Sequence, residues 1–240
     1  MPFKKTFLLI LSFIVITVAK SQTAAEIISR YIEFTGGREA WKKVNTITSS
    51  GTYNYGGVEF PFEAFSKKPD LYRYIVTFKG KSFEQAYDGK EGWRIDGFKN
   101  EKTKTILNGK QAFAMANESD VELESPLIDY EKKGHTIILE GKDSVDNKPC
   151  YRVKFMWKDG GTETLFFNSE NFALVKKRAI AKNTELNNAM LDIFYSDYKS
   201  TEGITVPFKI TCKDNGQPVL DITITGIKLN QPITDSMFKP

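Results

Sequence analysis

The 240-residue chain has one histidine and two cysteines. A site built on two or more histidines, a four-cysteine zinc centre and a disulfide framework are therefore excluded for a single copy. The phosphate-loop pattern is absent as well: Gly80-Lys81-Ser82 has the tail of the motif, but Ile75 stands where its first glycine belongs. No glycine-turn calcium loop occurs, and the alternating acids Glu118, Asp120, Glu122 and Glu124 read as a solvated edge. A basic stripe interleaved with aromatics is also missing, which speaks against nucleic acid as a partner. No metal or cofactor is expected.

Long apolar runs are scarce. Phe7 to Ala19 is apolar over 13 residues, a helical rise of about 20 Å against a hydrocarbon core of roughly 30 Å. Lys4 and Lys5 precede it, and Ala19-Lys20-Ser21 places small residues at the −3 and −1 positions of a cut before Gln22. Residues 1–21 thus have the layout of a secretory signal. No cysteine follows that would take a lipid anchor at the new N-terminus. Removing this segment takes away three lysines and no acid, leaving 31 basic against 30 acidic residues. The expectation is a protein of near-zero net charge in an extracytoplasmic compartment.

What is present is a balanced globular composition, 40% hydrophobic, 27% charged and 13% aromatic. A chain of this length buries roughly 70% of its unfolded surface and needs no staples. No Pro- or Ser-rich linker divides residues 22–240, so they read as one domain. Thr23-Ala24-Ala25-Glu26 fits a capping box, and Ala24, Ile27, Ile28, Tyr31 and Ile32 form one apolar stripe that Gly36-Gly37 ends. A short second helix is predicted around Arg38 to Val44, with Ala40, Trp41 and Val44 on one side.

From Thr46 the period changes to two. Val58, Phe60, Phe62 and Ala64 alternate with polar or proline positions; Trp93 and Ile95, then Val153, Phe155 and Trp157, then Val206, Phe208 and Ile210 repeat the pattern. Gly56-Gly57, Asp88-Gly89, Asp146-Asn147 and Asp214-Asn215-Gly216 are turn signals between them. About ten or eleven antiparallel strands are predicted. Gly109 to Glu131 interrupts the pattern with helix formers, a break at Ser125-Pro126 and a further helical turn from Leu127. The helices are too few to cover ten strands, so the economical architecture is mainly β: a single curved antiparallel sheet or unclosed β-barrel, with helices plugging its concave face.

Face parity separates the two cysteines. Cys212 continues the apolar series of Val206, Phe208 and Ile210, whereas Cys150 shares parity with Arg152 and Lys154, so two separate thiols are expected. His135, at the start of a strand, reads as a surface or structural residue. The remaining signal is an apolar face: Phe60, Phe62, Tyr74, Val76, Phe83, Trp93, Ile95, Val153, Phe155 and Trp157 are expected to share one side of the sheet. A concave apolar face with few covering helices suits a hydrophobic ligand.

Three stretches carry a resemblance: Glu26-Ile27-Ile28 with Tyr31-Ile32 and Gly36-Gly37-Arg38-Glu39-Ala40-Trp41; Tyr87-Asp88-Gly89-Lys90-Glu91-Gly92-Trp93; and the close from Asn230 through Pro232, Asp235 and Phe238 to Pro240. In these the chain resembles secreted, Bacteroidetes-type proteins grouped with the LolA-like outer-membrane lipoprotein-sorting carriers. The resemblance implies an unclosed barrel holding acyl chains, in a periplasmic and non-catalytic carrier. It implies as partners the acyl chains of lipoproteins or lipids, an inner-membrane donor and an outer-membrane acceptor. Ile28 and Tyr31 on one helix, with Phe113 and Met115 in the central insert, are the expected lid, and the carrier is expected to be a monomer. An envelope sensor using the same concave sheet to bind a protein or lipoprotein is the rival from another class. A hydrolase with spatially paired carboxylates is the third.

Overall fold

A computed structural model describes residues 22–107, 125–181 and 189–240. Helix α1 (Ala24–Phe34) opens with the capping box read from the sequence: Thr23 N–H donates to Glu26 Oε2 at 2.8 Å and Glu26 N–H to Thr23 Oγ1 at 3.2 Å. Gly36 and Gly37 both have positive φ, which releases the chain into α2 (Arg38–Lys42). At Gly36 an added Cβ would collide with the carbonyl oxygen of Gly203, so the glycine lets the helix end dock on a distant turn.

Thirteen strands follow among the described residues. Those of the first half are β1 (Thr46–Tyr55), β2 (Val58–Lys67), β3 (Leu71–Phe78), β4 (Lys81–Tyr87), β5 (Gly92–Asp96) and β6 (Thr105–Leu107). The second half contributes β7 (Thr136–Val145), β8 (Lys148–Met156), β9 (Thr162–Asn168), β10 (Leu174–Ile180), β11 (Met190–Thr201), β12 (Ile204–Asp214) and β13 (Gln217–Leu229). Two-residue turns join β1 to β2, β3 to β4, β7 to β8, β11 to β12 and β12 to β13. Both residues of each turn have positive φ, the geometry that matches the twist of the flanking strands.

The sheet order is β6-β5-β4-β3-β2-β1-β13-β12-β11-β10-β9-β8-β7, antiparallel throughout. Two meanders therefore run outward from a central seam, where β1 pairs with β13. The sheet does not close, and its edges β6 and β7 are consecutive in sequence. Two or three more strands form than the ten or eleven expected. The three-residue β6 is too short to alternate, and in β10 the run Lys176-Lys177-Arg178 conceals the period of two.

The sheet wraps around its helices. One buried cluster joins Ile27, Ile28 and Ile32 of α1 and Trp41 of α2 to Ile47 of β1, Leu229 of β13, Ile204 of β12, Leu174 of β10, Leu165 and Phe167 of β9, and Val153 and Phe155 of β8. Strands from the seam to the far edge pack on one short helix only if the sheet curves round it. Each fully buried aliphatic side chain stabilises this arrangement by about 1.5–3 kcal/mol. Residues 125–134 form successive turns instead of the helical turn expected from Leu127; Leu127 and Ile128 nonetheless enter the same core.

Candidate ligand-binding face

The concave face has two halves. Toward β7 it is filled by α1, α2, Leu127 and Ile128. Toward β6 it presents an aromatic floor whose side chains are aligned by register. Phe62 pairs with Val76 and Val76 with Phe83, while Ala64 pairs with Tyr74 and Tyr53 with Phe60. Across the seam, Tyr53 faces Ile222 and Gly51 faces Ile224. The result is a cluster of Phe62, Ala64 and Val76 with Tyr53, Phe60, Tyr74, Phe83, Ile222 and Ile224 packed around it. Ring centroids lie 5.9 Å apart for Phe62 and Tyr74 and 4.9 Å apart for Phe60 and Phe78, within the range of favourable aromatic contacts. Phe62 also lies across Gly51, where an added Cβ would come within 2.8 Å of its ring. Phe60, Tyr74 and Phe83 remain partly exposed, so the floor is reachable from solvent.

The ten residues expected on one face are divided. Phe60, Phe62, Tyr74, Val76 and Phe83 come together as the floor. Val153 and Phe155 share its side of the sheet, but are sealed in the helix-filled half at 0% and 1% exposure. Trp157 lies beyond the end of β8 against His135 and Phe155, at ring-centroid distances of 5.0 and 5.1 Å. Trp93 and Ile95 are a correction: they point to the opposite, outer face. Trp93 pairs with Ala86 and Ile95 with Glu84, whereas Phe83 and Gln85 of the floor side face Asp96 and Arg94. Strand β5 thus reverses the expected parity, because its inward positions are Gly92, Arg94 and Asp96.

What buries Trp93 is the C-terminal segment. Its indole N–H donates to the Phe238 carbonyl at 2.7 Å, Arg73 to the Met237 carbonyl at 3.1 Å and Lys67 to the Ile233 carbonyl at 2.8 Å. Lys104 Nζ sits 3.8 Å from the centroid of the same indole. A groove of about 330 Å³ between this segment and Asn45, Thr46 and Lys67 lies off the aromatic floor.

Of the expected lid residues, Ile28 is 1% exposed and the Tyr31 ring lies 5.3 Å from Phe167, both in the filled half. Phe113 and Met115 lie outside the described residues, as do the acids from Glu118 to Glu124. His135 is buried, with Nδ1 accepting from Lys158 N–H at 3.1 Å, in keeping with a structural part. Cys150 and Cys212 are separate buried thiols on opposite faces.

Sequence reasoning missed two polar features of the concave side. The first is Lys177, whose Nζ lies 3.6 Å from Glu163 Oε2 and whose charge interacts with Tyr195. Burial opposes its charge, but Tyr195 and Glu163 outweigh burial and raise its pKa, while burial raises that of Tyr195. The second is Arg94, in register between Gln85 and Thr105 at the β5 border of the floor. With Trp93 and Ile95 read as inward, the sequence put Arg94 outward, and only the register of β5 with β4 brings it to the concave side. Among the described residues no group of three or more His, Cys, Asp or Glu is placed to hold a metal ion.

No protein-family model matches the chain, and no curated protein does either. Solved structures do share its fold. A LolA-superfamily protein from Nitrosomonas europaea is 14% identical, with 92% of this chain and 99% of that one covered at a TM-score of 0.55. A domain from Vibrio parahaemolyticus, described as an outer-membrane lipoprotein-sorting protein, is 9% identical, covering 89% and 95% at 0.58. A DUF1329-family protein from Desulfovibrio piger is 14% identical, covering 89% and 95% at 0.58. The chain has the LolA-like fold.

Proposed function

We propose that this protein is a periplasmic carrier that shields acyl chains of a lipoprotein or lipid on the aromatic floor of β1 to β4 and β13. The observation that supports this reading most directly is the partly exposed cluster around Phe62, Tyr74 and Val76, on the half of the concave face that α1 and α2 leave uncovered. Apolar surface of that kind is normally covered in a soluble protein, and a hydrophobic ligand covers it well. Burial of an acyl chain gains about 0.8 kcal/mol per methylene. The mechanism is binding and release without covalent chemistry.

The lipoprotein-sorting description of the Vibrio structure supports an acyl chain as the cargo, passed from an inner-membrane donor to an outer-membrane acceptor. In the same reading residues 1–21 are a signal removed on export, and residues 22–240 act as one domain and as a monomer. Phe60, Phe62, Tyr74, Val76 and Phe83 are the cargo contacts, while Val153 and Phe155 support them from the filled half.

The test is saturable binding of a fluorescent acyl probe to the purified protein and to Phe62→Glu, with circular dichroism confirming that the variant is folded. Binding in the wild type and its loss, at least tenfold, in Phe62→Glu is expected, because a carboxylate on the floor must be desolvated when an acyl chain settles over it. Equal binding by the two proteins, or none by either, overturns the reading.

A further inference from the structure

The chain has six arginines, and five of them meet a carboxylate. Arg30 pairs with Glu33, Arg38 with Asp129, Arg73 with Glu84, Arg152 with Glu140 and Asp143, and Arg178 with both oxygens of Asp192. Arg94 is the exception. Among the described residues it forms no ion pair and no side-chain hydrogen bond, and its Nε is buried without a partner.

Nearby carboxylates are already engaged. Asp96, two residues along on the same face, accepts the backbone N–H groups of Phe98 and Lys99 and pairs with Lys99 Nζ at 3.2 Å. Glu101 accepts Asp96 N–H at 2.9 Å. Glu84 points to the outer face, where Arg73 holds it at 2.6 Å. Arg94 is thus a partly buried guanidinium with donors to spare. It stands between Gln85 and Thr105 on the register row that runs through Tyr74 and Ala64 of the floor. A buried cation without acceptors costs free energy, and a planar fork of N–H donors matches a carboxylate or a phosphate.

We propose that Arg94 anchors the anionic group of the cargo, so that the ligand class is an acyl lipid carrying a carboxylate or phosphate at one end of its chain. The inference rests on the acyl-carrier reading of the floor. The apolar rows around Phe62 and Val76 take the chain, and Arg94 with Gln85 takes the charged end. Such a site discriminates by head group where the floor alone discriminates by apolar area.

Three ligands with one oleoyl chain separate these contributions: oleate, oleoyl lysophosphatidate and neutral monoolein, each titrated as a competitor of a fluorescent acyl probe on the purified protein. At least one anionic ligand is expected to displace the probe at about one tenth of the monoolein concentration or less. Which of the two does so tells carboxylate from phosphate. In Arg94→Gln the anionic and neutral ligands converge to within about twofold, with monoolein binding unchanged. Arg94→Lys keeps part of the preference, and Lys154→Gln on the outer face keeps all of it, which separates a local anchor from net charge.

Equal binding of all three ligands by the wild type overturns the anchor and leaves the floor standing. So does a preference that survives Arg94→Gln. Failure of all three to bind overturns the floor and the anchor together. The wild-type comparison needs no variant, so the proposal stays testable even if Arg94→Gln does not fold.

Discussion

Burial pushes the Cys212 thiol up to about 11 from an ordinary value near 9, and it raises the Cys150 thiol as well. Both groups therefore hold their protons more tightly in the folded chain than in the unfolded one. Their stabilising contribution is fully present below about pH 8.5, where thiols of either state are protonated. It is lost as pH rises, because the unfolded chain ionises first. The expected outcome is a melting temperature that falls from pH 8.5 toward 10, before the tyrosines titrate. The fall should be shallower in Cys212→Ala by up to about 1.4 kcal/mol per pH unit. An identical slope in the variant counts against a thiol held neutral by burial. The opposite parity of these two residues was legible in the sequence, since parity needs only strand phase. The unpaired state of Arg94 was not, because ion pairs form between strands whose register no single segment reveals.

At the level of elements, helix α1 was readable from the sequence: its cap, stripe and terminal glycines act locally and appear consecutively in the chain. Strand β5 was misread for a physical reason. Trp93 and Ile95 look like a floor pattern, but the cover that Trp93 receives comes from a segment some 140 residues away. The C-terminal segment replaces the missing alternation on that side with carbonyls that accept side-chain hydrogen bonds from Lys67, Arg73, Trp93 and Lys104, and with Phe238, which is 0% exposed. Phe238→Ala is expected to lower stability by about 3–5 kcal/mol, the usual cost of emptying an aromatic pocket. Urea denaturation measures the loss, and a red shift of tryptophan emission in the native state would report solvent reaching Trp93. A change below 1 kcal/mol would mean that the segment rests on the sheet without holding it.

On the scale of the whole molecule, one curved sheet with helices inside was legible from the count of alternating strands against the count of helices. The central seam was not, because the pairing of β1 with β13 joins residues near opposite ends of the chain and leaves no local mark. Among the described residues, every hydrogen-bonded ladder lies between consecutive strands except that seam, and no ladder joins the two edge strands β6 and β7. A closed barrel has its radius fixed by strand number and shear. Here no such rule applies, so the radius of curvature is a soft coordinate, opposed by side-chain contacts and not by a ring of backbone bonds. For a series of saturated acids, affinity should then climb smoothly with chain length; an abrupt cut-off at one length would indicate a bore of set calibre. The gap between β6 and β7 thus works like the slit in a spring clip, which grips rods of many diameters because its circumference was never joined.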